Sequence, residues 1–468
     1  MKILLINPVW SFQNYPPINL TELASYIIIN GFKNTKILDL NFEIKNKFNT
    51  ENIIENCTQK IVLKKPDVVA ITCNAVQFPF VCELSKEIKK QKPELPIIIG
   101  GVMASLNPSL LLKLAKADYI IRGEGEQTLL ELLQAIKNNS NTQNITGISY
   151  KNKSGKMLHN PARELLDIKE LPIPAFDLIS DNLTANKLVW LTASRGCAYK
   201  CKFCSGNTLW HYQRRKEIDN IYSQIKILKT KYKIKTFVFG DDCLTLNKEW
   251  ILELCKNIKP LKMKWGCLAR IDSVDDEILQ ALKQSGCCQI YHGIESGSKT
   301  VREMLDKQIK CNTNKFILNM VQKEILIGFD VICSFMTGIP FETKQDITKT
   351  ASLAKQMKNL GAKIQLWLLT PYLGLKIIHE YKKQLTTINR ANSNLQQDVF
   401  NTSQIYLYNN FIDKYRKYNP DNYMFLPKDM DLNTFIQHFH KIQKSLEIEQ
   451  KNIQLTNKEL FILKNTKL

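Results

Sequence analysis

Positions 194–204 read SRGCAYKCKFC and directly follow the short apolar segment Leu188–Thr192. The cysteines, Cys197, Cys201 and Cys204, are spaced by four and three, so they can converge only if the segment loops around one centre. Thiolates are ligands of iron–sulfur clusters and of zinc. A structural zinc site normally takes four ligands, and His211 is the close candidate for a fourth. Three thiolates on a cubane cluster would instead leave one iron open to a substrate.

Apolar strands alternate with helix-like stretches around and after this loop. The predicted strands are Leu188–Thr192, Thr236–Gly240, Lys264–Leu268, Gln289–Gly293, Asp330–Met336 and Lys363–Leu369. Because a helix-like stretch follows each strand, the pattern is typical of β/α units. It predicts a partial (β/α)6 barrel of the TIM type over residues 187–390.

The first part of the chain alternates in the same way. The predicted strands are Lys2–Ile6, Lys36–Leu40, Pro66–Thr72, Pro96–Gly100 and Ala117–Ile121, and the clearest helices are Asn19–Asn30, ended by Gly31, and Gln127–Lys137. Strands that are almost entirely apolar indicate a parallel sheet covered on both faces. We therefore predict an α/β fold whose first domain, residues 1–138, is doubly wound and Rossmann-like, with ligands at the carboxyl edge of its sheet.

Two further segments are polar or irregular. Residues 139–186 are predicted to be a linker that contains a hairpin around Lys153–Lys156. Residues 391–468 are predicted to form a mainly helical C-terminal region, in which Asp431–Gln450 is the clearest helix.

The composition of the chain excludes several classes of protein. The chain has 468 residues, 13 cysteines and a formal charge of +21, and its 44% hydrophobic content excludes collagen-like and mostly disordered chains. The first apolar run stops at Asn7-Pro8, and no stretch approaches the roughly 20 apolar residues that span a bilayer. We expect a cytoplasmic protein with no membrane span and mostly reduced thiols. Lysines are spread along the whole chain, which favours a solvated basic surface over a nucleic-acid site.

With its aromatic residue before the last cysteine, the cysteine loop resembles the signature of radical SAM enzymes, and the resemblance extends over Leu188–Leu385. GIESGS at 293–298 is similar to a segment of the fourth strand in that family, and GIPFET at 338–343 resembles its GxPGET segment, with Phe341 in place of the usual glycine. TPYLG at 370–374 is the weakest match.

The resemblance implies a [4Fe-4S] cluster on Cys197, Cys201 and Cys204, with S-adenosylmethionine (SAM) bound at its open iron. It implies that Arg270 and Glu295 act in catalysis. It also assigns a set of residues to SAM binding: Asp241, Asp242, Arg270, Glu295 and Ser296. Structural roles remain open for these residues, because barrel-end salt bridges and helix caps use the same residue types.

The first domain resembles the cobalamin-binding domain that precedes many radical SAM domains, through KILLINP at 2–8, PDVVAIT at 66–72, IIIGG at 97–101 and RGEGE at 122–126. The Asp-x-His-x-x-Gly motif that ligates cobalt through histidine is absent, as is usual in the fused family. The implied cobalamin-binding residues are Asn7, Pro8, Thr72, Asn74, Gly100, Gly101, Gly123, Glu124, Gly125 and Glu126. Tight turns of a sheet that binds no cobalamin are the alternative.

Together these resemblances imply a class B-like radical SAM methyltransferase. Its SAM would be cleaved to a 5′-deoxyadenosyl radical, and cobalamin would carry a methyl group to an unactivated carbon of a small molecule or peptide. An external electron donor such as flavodoxin or ferredoxin is implied.

Three alternatives stay open. They are a cobalamin-dependent oxidative cyclase or rearrangement enzyme on a tetrapyrrole or other metabolite, a tRNA methylthiotransferase-like enzyme, and a non-catalytic cobalamin or SAM sensor. A methylthiotransferase would carry a second cluster on three N-terminal cysteines, and here those are Cys57, Cys73 and Cys82.

Overall fold

A computed structural model describes residues 1–9, 15–44, 52–186, 188–387, 415 and 423–447. The described residues divide into two compact units. The first contains residues 1–186 together with Tyr415, and the second contains the remaining described residues from Leu188 onward. No helix among the described residues is long and apolar enough to cross a membrane.

The first unit is built on one seven-stranded sheet. Its strands are β1 (Ile3–Asn7), β2 (Thr35–Asp39), β3 (Val68–Thr72), β4 (Ile97–Gly100), β5 (Tyr119–Ile121), β6 (Ile148–Lys151) and β7 (Met157–His159). The strand order is β2-β1-β3-β4-β5-β6-β7, and the first five strands run parallel. This is the doubly wound order 2-1-3-4-5, whose switch point lies between β1 and β3. The predicted fold class of this domain is confirmed.

Helices cover both faces of this sheet. They are α1 (Ile18–Ile29), α2 (Leu40–Ile44), α3 (Ile53–Leu63), α4 (Phe78–Gln91), α5 (Val102–Leu106), α6 (Pro108–Leu114), α7 (Glu126–Lys137) and α8 (Ser180–Asn186), with short 3-10 turns at Ile168–Glu170 and Phe176–Ile179. Alternate side chains of each strand enter two separate apolar cores. On β1, Leu4 and Ile6 join one core, and Ile3 and Leu5 join the other. All four are fully buried, as a parallel sheet covered on both faces requires.

The segment 139–186, predicted as a linker, instead continues the first unit. Strand β6 pairs antiparallel with β5, and β7 pairs antiparallel with β6. The hairpin around Lys153–Lys156 is present, but it extends the sheet, because Ile148 and Tyr150 face its apolar core. Tyr415, from the predicted C-terminal region, is also buried in the other core of this unit.

The second unit contains a six-stranded parallel sheet in chain order. Its strands are β8 (Leu188–Leu191), β11 (Thr236–Phe239), β12 (Lys264–Ala269), β13 (Cys287–Glu295), β14 (Asp330–Thr337) and β15 (Lys363–Leu368). Two short antiparallel pairs are separate from this sheet. One pair, β9 (Ser194–Arg195) with β10 (Arg214–Arg215), lies between β8 and β11 in the chain, and the other, β16 (Leu385–Thr387) with β17 (Tyr423–Phe425), follows β15. Six parallel strands in sequential order confirm the partial (β/α)6 barrel.

The helices of the second unit follow its strands. They are α9 (Ser205–Leu209), α10 (Ile218–Thr230), α11 (Lys248–Ile258), α12 (Asp276–Gln284), α13 (Lys299–Met304), α14 (Asn314–Ile327), α15 (Lys344–Leu360), α16 (Lys376–Tyr381) and α17 (Leu432–Ser445), with 3-10 turns at Lys259–Leu261 and Lys382–Gln384. Several begin at a side chain that accepts a backbone N–H: Asn247, Asp275, Thr313, Thr343 and Asp431. Helix α17 matches the predicted helix Asp431–Gln450 as far as Ser445, and residues 448–450 lie outside the described residues.

Candidate active site

The cysteine loop lies between β9 and β10, just after the first barrel strand. The antiparallel pair joins the two ends of the loop and places Arg195 opposite Arg214. Gly196 follows β9 with a φ of 88°, and a Cβ added there would lie 2.4 Å from the Tyr212 carbonyl oxygen. The two arms of the loop are therefore in such close contact that glycine is required at this position.

Two strand-end side chains hold the loop in place. Asp241, which follows β11, is buried and accepts hydrogen bonds from the Ala193 N–H at 3.2 Å, the Ser194 N–H and the Ser194 hydroxyl. Burial raises the pKa of Asp241 to about 6, although these donors oppose the shift. The Gln213 amide donates to the Ser194 hydroxyl at 3.2 Å and to the Cys243 carbonyl at 2.8 Å. Asp241, predicted to bind SAM, thus orients the start of the cysteine loop in this structure.

The three cysteines share this loop. Cys201 is buried, and Cys197 and Cys204 are half-buried. In addition to burial, the neighbouring Cys201 raises the pKa of Cys197, and the neighbouring Cys204 raises the pKa of Cys201. Burial raises the pKa of Cys197 to about 11 and also raises that of Cys201, for which Lys307 and Arg270 oppose the shift. A bound iron centre would reverse this effect, because ligating thiols are deprotonated.

The chemistry of the three thiols suits an iron–sulfur cluster. Among the described residues, no three His, Cys, Asp or Glu side chains are close enough together to hold one metal ion. The ligands of one zinc ion all lie about 2.3 Å from it when they are thiolates, whereas the thiolates of a cubane bind different irons and stand farther apart. The donor set of three thiols on one loop therefore fits a [4Fe-4S] cluster.

Arg270, at the end of β12, is fixed against the loop. Its guanidinium lies 3.5 Å from the centre of the Tyr199 ring, which stands between two of the cysteines. It donates to both carboxylate oxygens of Asp272, at 3.0 and 3.2 Å, and to the Gln308 carbonyl at 3.1 Å. The structure thus gives Arg270 a loop-supporting position, and its predicted contact with SAM stays a prediction.

Glu295, the last residue of β13, is paired with a buried lysine. The Lys307 ammonium donates to its Oε1 at 2.8 Å, and the two side chains are only 10% and 8% exposed. Glu295 has a φ of 71°, and a Cβ at Gly293 would lie 2.3 Å from its Oε1. Although burial opposes it, the negative charges of Glu295 and of the Cys201 thiolate raise the pKa of Lys307.

Two further predicted residues differ in exposure. Ser296 is fully buried, and its hydroxyl lies 3.0 Å from that of Thr350, so it holds the turn after β13. Asp242 is exposed, and a Cβ at Gly206 would lie 3.3 Å from its Oδ2 and 3.4 Å from the Cys204 sulfur. Asp242 is therefore the acidic residue that the structure brings to the cysteine loop with its side chain accessible.

Sequence reasoning missed Lys307, Asp272 and Glu342. Glu342 is fully buried, and its Oε1 accepts from the Thr337 hydroxyl at 2.8 Å and from the backbone N–H groups of Gly338 and Ile339 at 2.6 and 3.1 Å. Burial raises its pKa to about 8. The GIPFET match could have pointed to Glu342, whereas nothing in the sequence distinguishes Lys307 from the many surface lysines.

The predicted cobalamin-binding residues follow four adjacent strands of the first unit. Because β1, β3, β4 and β5 are parallel neighbours, their carboxyl ends bring a set of residues to one edge of the sheet. The set is Asn7, Pro8, Thr72, Asn74, Gly100, Gly101, Gly123, Glu124, Gly125 and Glu126.

Several polar members of this set have partners within the protein. The Asn7 amide donates to Asp39 at 2.8 Å, Asn74 exchanges two 3.0 Å hydrogen bonds with Gln77, and Glu124 accepts from the Leu166 N–H at 3.0 Å. Their binding roles therefore stay predictions.

The glycines of the set differ in their surroundings. A Cβ at Gly101 would lie 2.7 Å from the Cys73 carbonyl oxygen, so glycine is required there by the fold itself. Gly123 has a φ of 75°, which favours glycine, and no atom of the described residues lies within 4 Å of the position of a Cβ. Its role in cobalamin binding stays a prediction.

Two family models match the chain. Residues 191–354 match the Radical SAM superfamily, and residues 11–133 match the B12 binding domain. The chain thus carries a B12 binding domain ahead of a radical SAM domain. The radical SAM family implies SAM and a [4Fe-4S] cluster as cofactors, and the B12 binding domain implies cobalamin.

Known proteins resemble the chain over most of its length. An uncharacterized methyltransferase of Pyrococcus horikoshii is 29% identical over 81% of this chain and 82% of that protein. The anaerobic magnesium-protoporphyrin IX monomethyl ester cyclase of Rubrivivax gelatinosus is 23% identical over 76% of this chain and 66% of its own. The structure of the radical SAM methyltransferase TsrM from Kitasatospora setae, with cobalamin and a [4Fe-4S] cluster bound, has a TM-score of 0.75 at 17% identity and covers 96% and 91% of the two chains.

Proposed function

We propose that this chain, which carries a B12 binding domain and a radical SAM domain, is a cobalamin-dependent radical SAM methyltransferase that acts on a small molecule or peptide in the cytoplasm. The observation that carries the proposal is the three-thiol loop at the carboxyl end of the first barrel strand, in a chain that also carries a doubly wound sheet of the B12-binding type. The methyltransferase of P. horikoshii supports the choice of reaction.

The residues of the barrel have distinct roles in this proposal. Cys197, Cys201 and Cys204 would hold the cluster, which when bound supplies one electron to SAM for the cleavage that yields a 5′-deoxyadenosyl radical. Asp241 and the stacked pair of Arg270 and Tyr199 hold the loop in position, so that its three thiols can bind the cluster. The Lys307–Glu295 pair provides buried charges next to the loop, where a zwitterionic ligand such as SAM finds partners of both signs.

The glycine-lined edge of the first unit would hold cobalamin. Gly123 leaves its backbone accessible, and its N–H donates to Ser105 at 2.9 Å, which fixes the turn. Cobalamin, when bound, supplies a carrier for the methyl group. No histidine in an Asp-x-His-x-x-Gly motif is available as a cobalt ligand in this chain.

Oxidative cyclisation is the second candidate function. The cyclase of R. gelatinosus, which acts on a magnesium porphyrin ester according to its name, has a comparable extent of similarity to this chain. A tRNA methylthiotransferase is disfavoured, because Cys57, Cys73 and Cys82 are all fully buried in the apolar core of the first unit and do not present a second cluster site.

Anaerobic SAM cleavage tests the radical chemistry. The reconstituted protein, supplied with dithionite and SAM, should release 5′-deoxyadenosine, which chromatography with mass detection measures. Cys197→Ala should remove both the cluster absorbance and the product. Cys311→Ala, which alters an exposed cysteine outside the loop, is the matched control and should leave both unchanged. Absence of 5′-deoxyadenosine from the wild-type protein would contradict the proposal and favour a sensor.

A second measurement separates the two candidate functions. Protein purified from cobalamin-supplied cells should show a corrin absorption band, and SAM carrying a deuterated methyl group should leave that label on the product formed from an extract of small molecules. A product that is dehydrogenated or cyclised and carries no label would support the cyclase.

A further inference from the structure

The inner face of the barrel sheet is only partly covered by side chains. His292 of β13 lies 3.0 Å from Glu324 of α14 and so faces the helices, which places the adjacent Tyr291 on the opposite, inner face. The strand register puts these half-buried residues on the same inner face: Trp190, Leu268, Tyr291, Met336, Gln365 and Trp367. The interior of an α/β barrel is normally a packed core. Among the described residues, side chains that stay half-buried at such positions leave room for a ligand.

The carboxamide of Gln365 is held in one orientation on this face. Its Oε1 accepts from the Tyr291 hydroxyl at 3.1 Å and from the Trp367 indole N–H at 3.3 Å. An indole nitrogen can only donate, so the carboxamide must turn its oxygen, and not its nitrogen, towards Trp367. Burial raises the pKa of Tyr291 to about 12, so its hydroxyl keeps the proton that it donates. Two donors thus fix the direction of the amide.

The nitrogen of the same carboxamide is available to a ligand. In the part of the chain that the structure describes, the Gln365 Nε2 has no hydrogen-bond partner, and the side chain is only half-buried. Gln365 precedes the last residue of β15, Leu368, by three positions, so it lies about 10 Å from the carboxyl end of that strand. The barrel therefore presents two oriented N–H donors on its inner face, deeper than the strand ends that carry the cysteine loop.

The surroundings of these donors are aromatic and uncharged. Three of the half-buried inner-face residues carry aromatic rings, whose faces pack well against other flat groups. The charged side chains of the inner face stand at the ends of the described strands, and there Arg270 pairs with Asp272 and Glu295 pairs with Lys307. A charged group bound in the middle of this face would have no partner, which makes its burial costly. The face thus suits a flat, uncharged group that carries a hydrogen-bond acceptor.

We propose that the inner face of the barrel binds a flat, uncharged part of the substrate, and that Gln365 selects it by donating to a carbonyl oxygen or ring nitrogen. This inference rests on the proposed function and narrows its substrate class. Binding pockets commonly combine an apolar and aromatic lining with a few placed polar groups that determine specificity. Gln365 is the specificity-determining residue in this proposal, and Tyr291 and Trp367 are positioning residues that hold its amide.

Binding of small aromatic probes tests the proposal before the substrate is known. Acetophenone carries an uncharged carbonyl on its ring, ethylbenzene has the same shape without an acceptor, and benzoate replaces the methyl ketone by a negative charge. Ligand-observed NMR titration gives the dissociation constants for the reconstituted full chain, with saturating SAM and no reductant. We expect acetophenone and ethylbenzene to bind, and benzoate to bind at least about tenfold more weakly than acetophenone.

Variants of Gln365 isolate the contribution of its N–H groups. Gln365→Glu keeps an oxygen for Tyr291 and Trp367 and replaces the donors by an acceptor, and Gln365→Met removes the amide without adding a group that titrates. Each should weaken acetophenone binding about threefold to tenfold and leave ethylbenzene binding within about twofold of wild type, because ethylbenzene has no acceptor to lose. The matched control is Gln356→Glu, an exposed change on α15, which should alter neither constant.

The possible outcomes separate this inference from the proposed function. Acetophenone and ethylbenzene binding that weaken equally in the Gln365 variants, or a wild-type protein that binds neither, would overturn the inference. Tighter binding of benzoate than of acetophenone would overturn the uncharged class. Displacement of acetophenone by SAM would assign the amide to the nucleoside of SAM and also overturn the inference. In each of these cases, release of 5′-deoxyadenosine by the wild-type protein leaves the proposed function standing, whereas its absence overturns that function.

Discussion

Individual charged residues near the cysteine loop have partners that their position in the sequence does not indicate. Arg270 was expected to meet SAM or substrate, and its guanidinium is bound by Asp272 and stacked on Tyr199. Glu295 was expected to meet SAM, and Lys307, twelve residues later, pairs with it. The sequence predicts which strand end carries a charge. It does not predict partners, because these depend on how loops from different strands cross the barrel end.

Breaking the Lys307–Glu295 pair should destabilise the barrel. Lys307→Met leaves the Glu295 carboxylate buried without its cation, which costs about 3–5 kcal/mol in comparable cases. The variant Lys307→Met/Glu295→Gln removes the unpaired charge and should recover part of that loss. Urea unfolding of wild type, both single variants and the double variant gives the coupling free energy. A coupling close to zero would mean that the pair does not form in solution.

The buried carboxyl group of Glu342 should make stability depend on pH. Its pKa is raised from 4.5 to about 8 by burial, so between these values the folded state holds a proton that the unfolded state has lost. The contribution of the protonated Glu342 to stability is therefore fully present below pH 4.5. It falls as the pH rises through this window, by at most about 1.4 kcal/mol per pH unit.

Glu342→Gln should remove this slope, because a glutamine keeps the accepting Oε1 and does not titrate. Urea unfolding at pH 5.5 and 7.5 should show the variant gaining about 2 kcal/mol relative to wild type at the higher pH. Glu253→Gln, an exposed change on α11, is the control. Parallel pH profiles for wild type and Glu342→Gln would contradict the assignment.

At the scale of elements, the strands were the most predictable part. All eleven predicted strands form within two residues of their expected bounds, because short runs of apolar, β-branched residues have few alternatives in a covered parallel sheet. The hairpin β6–β7 was expected in a linker and instead extends the first sheet, since a polar hairpin sequence does not show which edge strand it will pair with. The pairing of β16 with β17 was not predicted, because 35 residues separate Thr387 from Tyr423 in the chain.

Gly196 links strand β9 to the cysteine loop of the candidate site. In Gly196→Ala the new Cβ would meet the Tyr212 carbonyl at 2.4 Å and the Trp210 Cβ at 2.8 Å, so one arm of the loop must move. We expect the variant to lose most of its cluster absorbance after reconstitution while its circular dichroism stays close to wild type.

Gly361→Ala is the matched control for this variant. It has a similar positive φ, at 107°, but its nearest neighbour is an ordinary 3.8 Å contact with Ile325. It should cost about 1–2 kcal/mol of stability and keep the cluster. Equal cluster content in the two variants would show that the close contact within the loop is unimportant.

At the scale of the whole molecule, the fold class, both domain types and the cofactor set were predictable from motifs. The prediction of a mainly helical C-terminal region describes only part of what the structure shows there. Among its described residues, α17 is helical, Tyr423–Phe425 completes a strand pair, and Tyr415 packs into the first unit beside Phe78, with ring centres 5.8 Å apart. The sequence of the C-terminal region does not show which apolar core its residues will join, because this depends on how the whole chain packs.

The most direct test of the central claim, that one chain binds both an iron–sulfur cluster and cobalamin, is a metal analysis. Protein expressed with cobalamin and reconstituted anaerobically should contain about four iron atoms and about one cobalt atom per chain. Cys201→Ala should lose the iron and keep the cobalt, because the two cofactors bind in separate domains. Wild-type protein without cobalt, or a Cys201→Ala variant that retains its full iron content, would contradict the account.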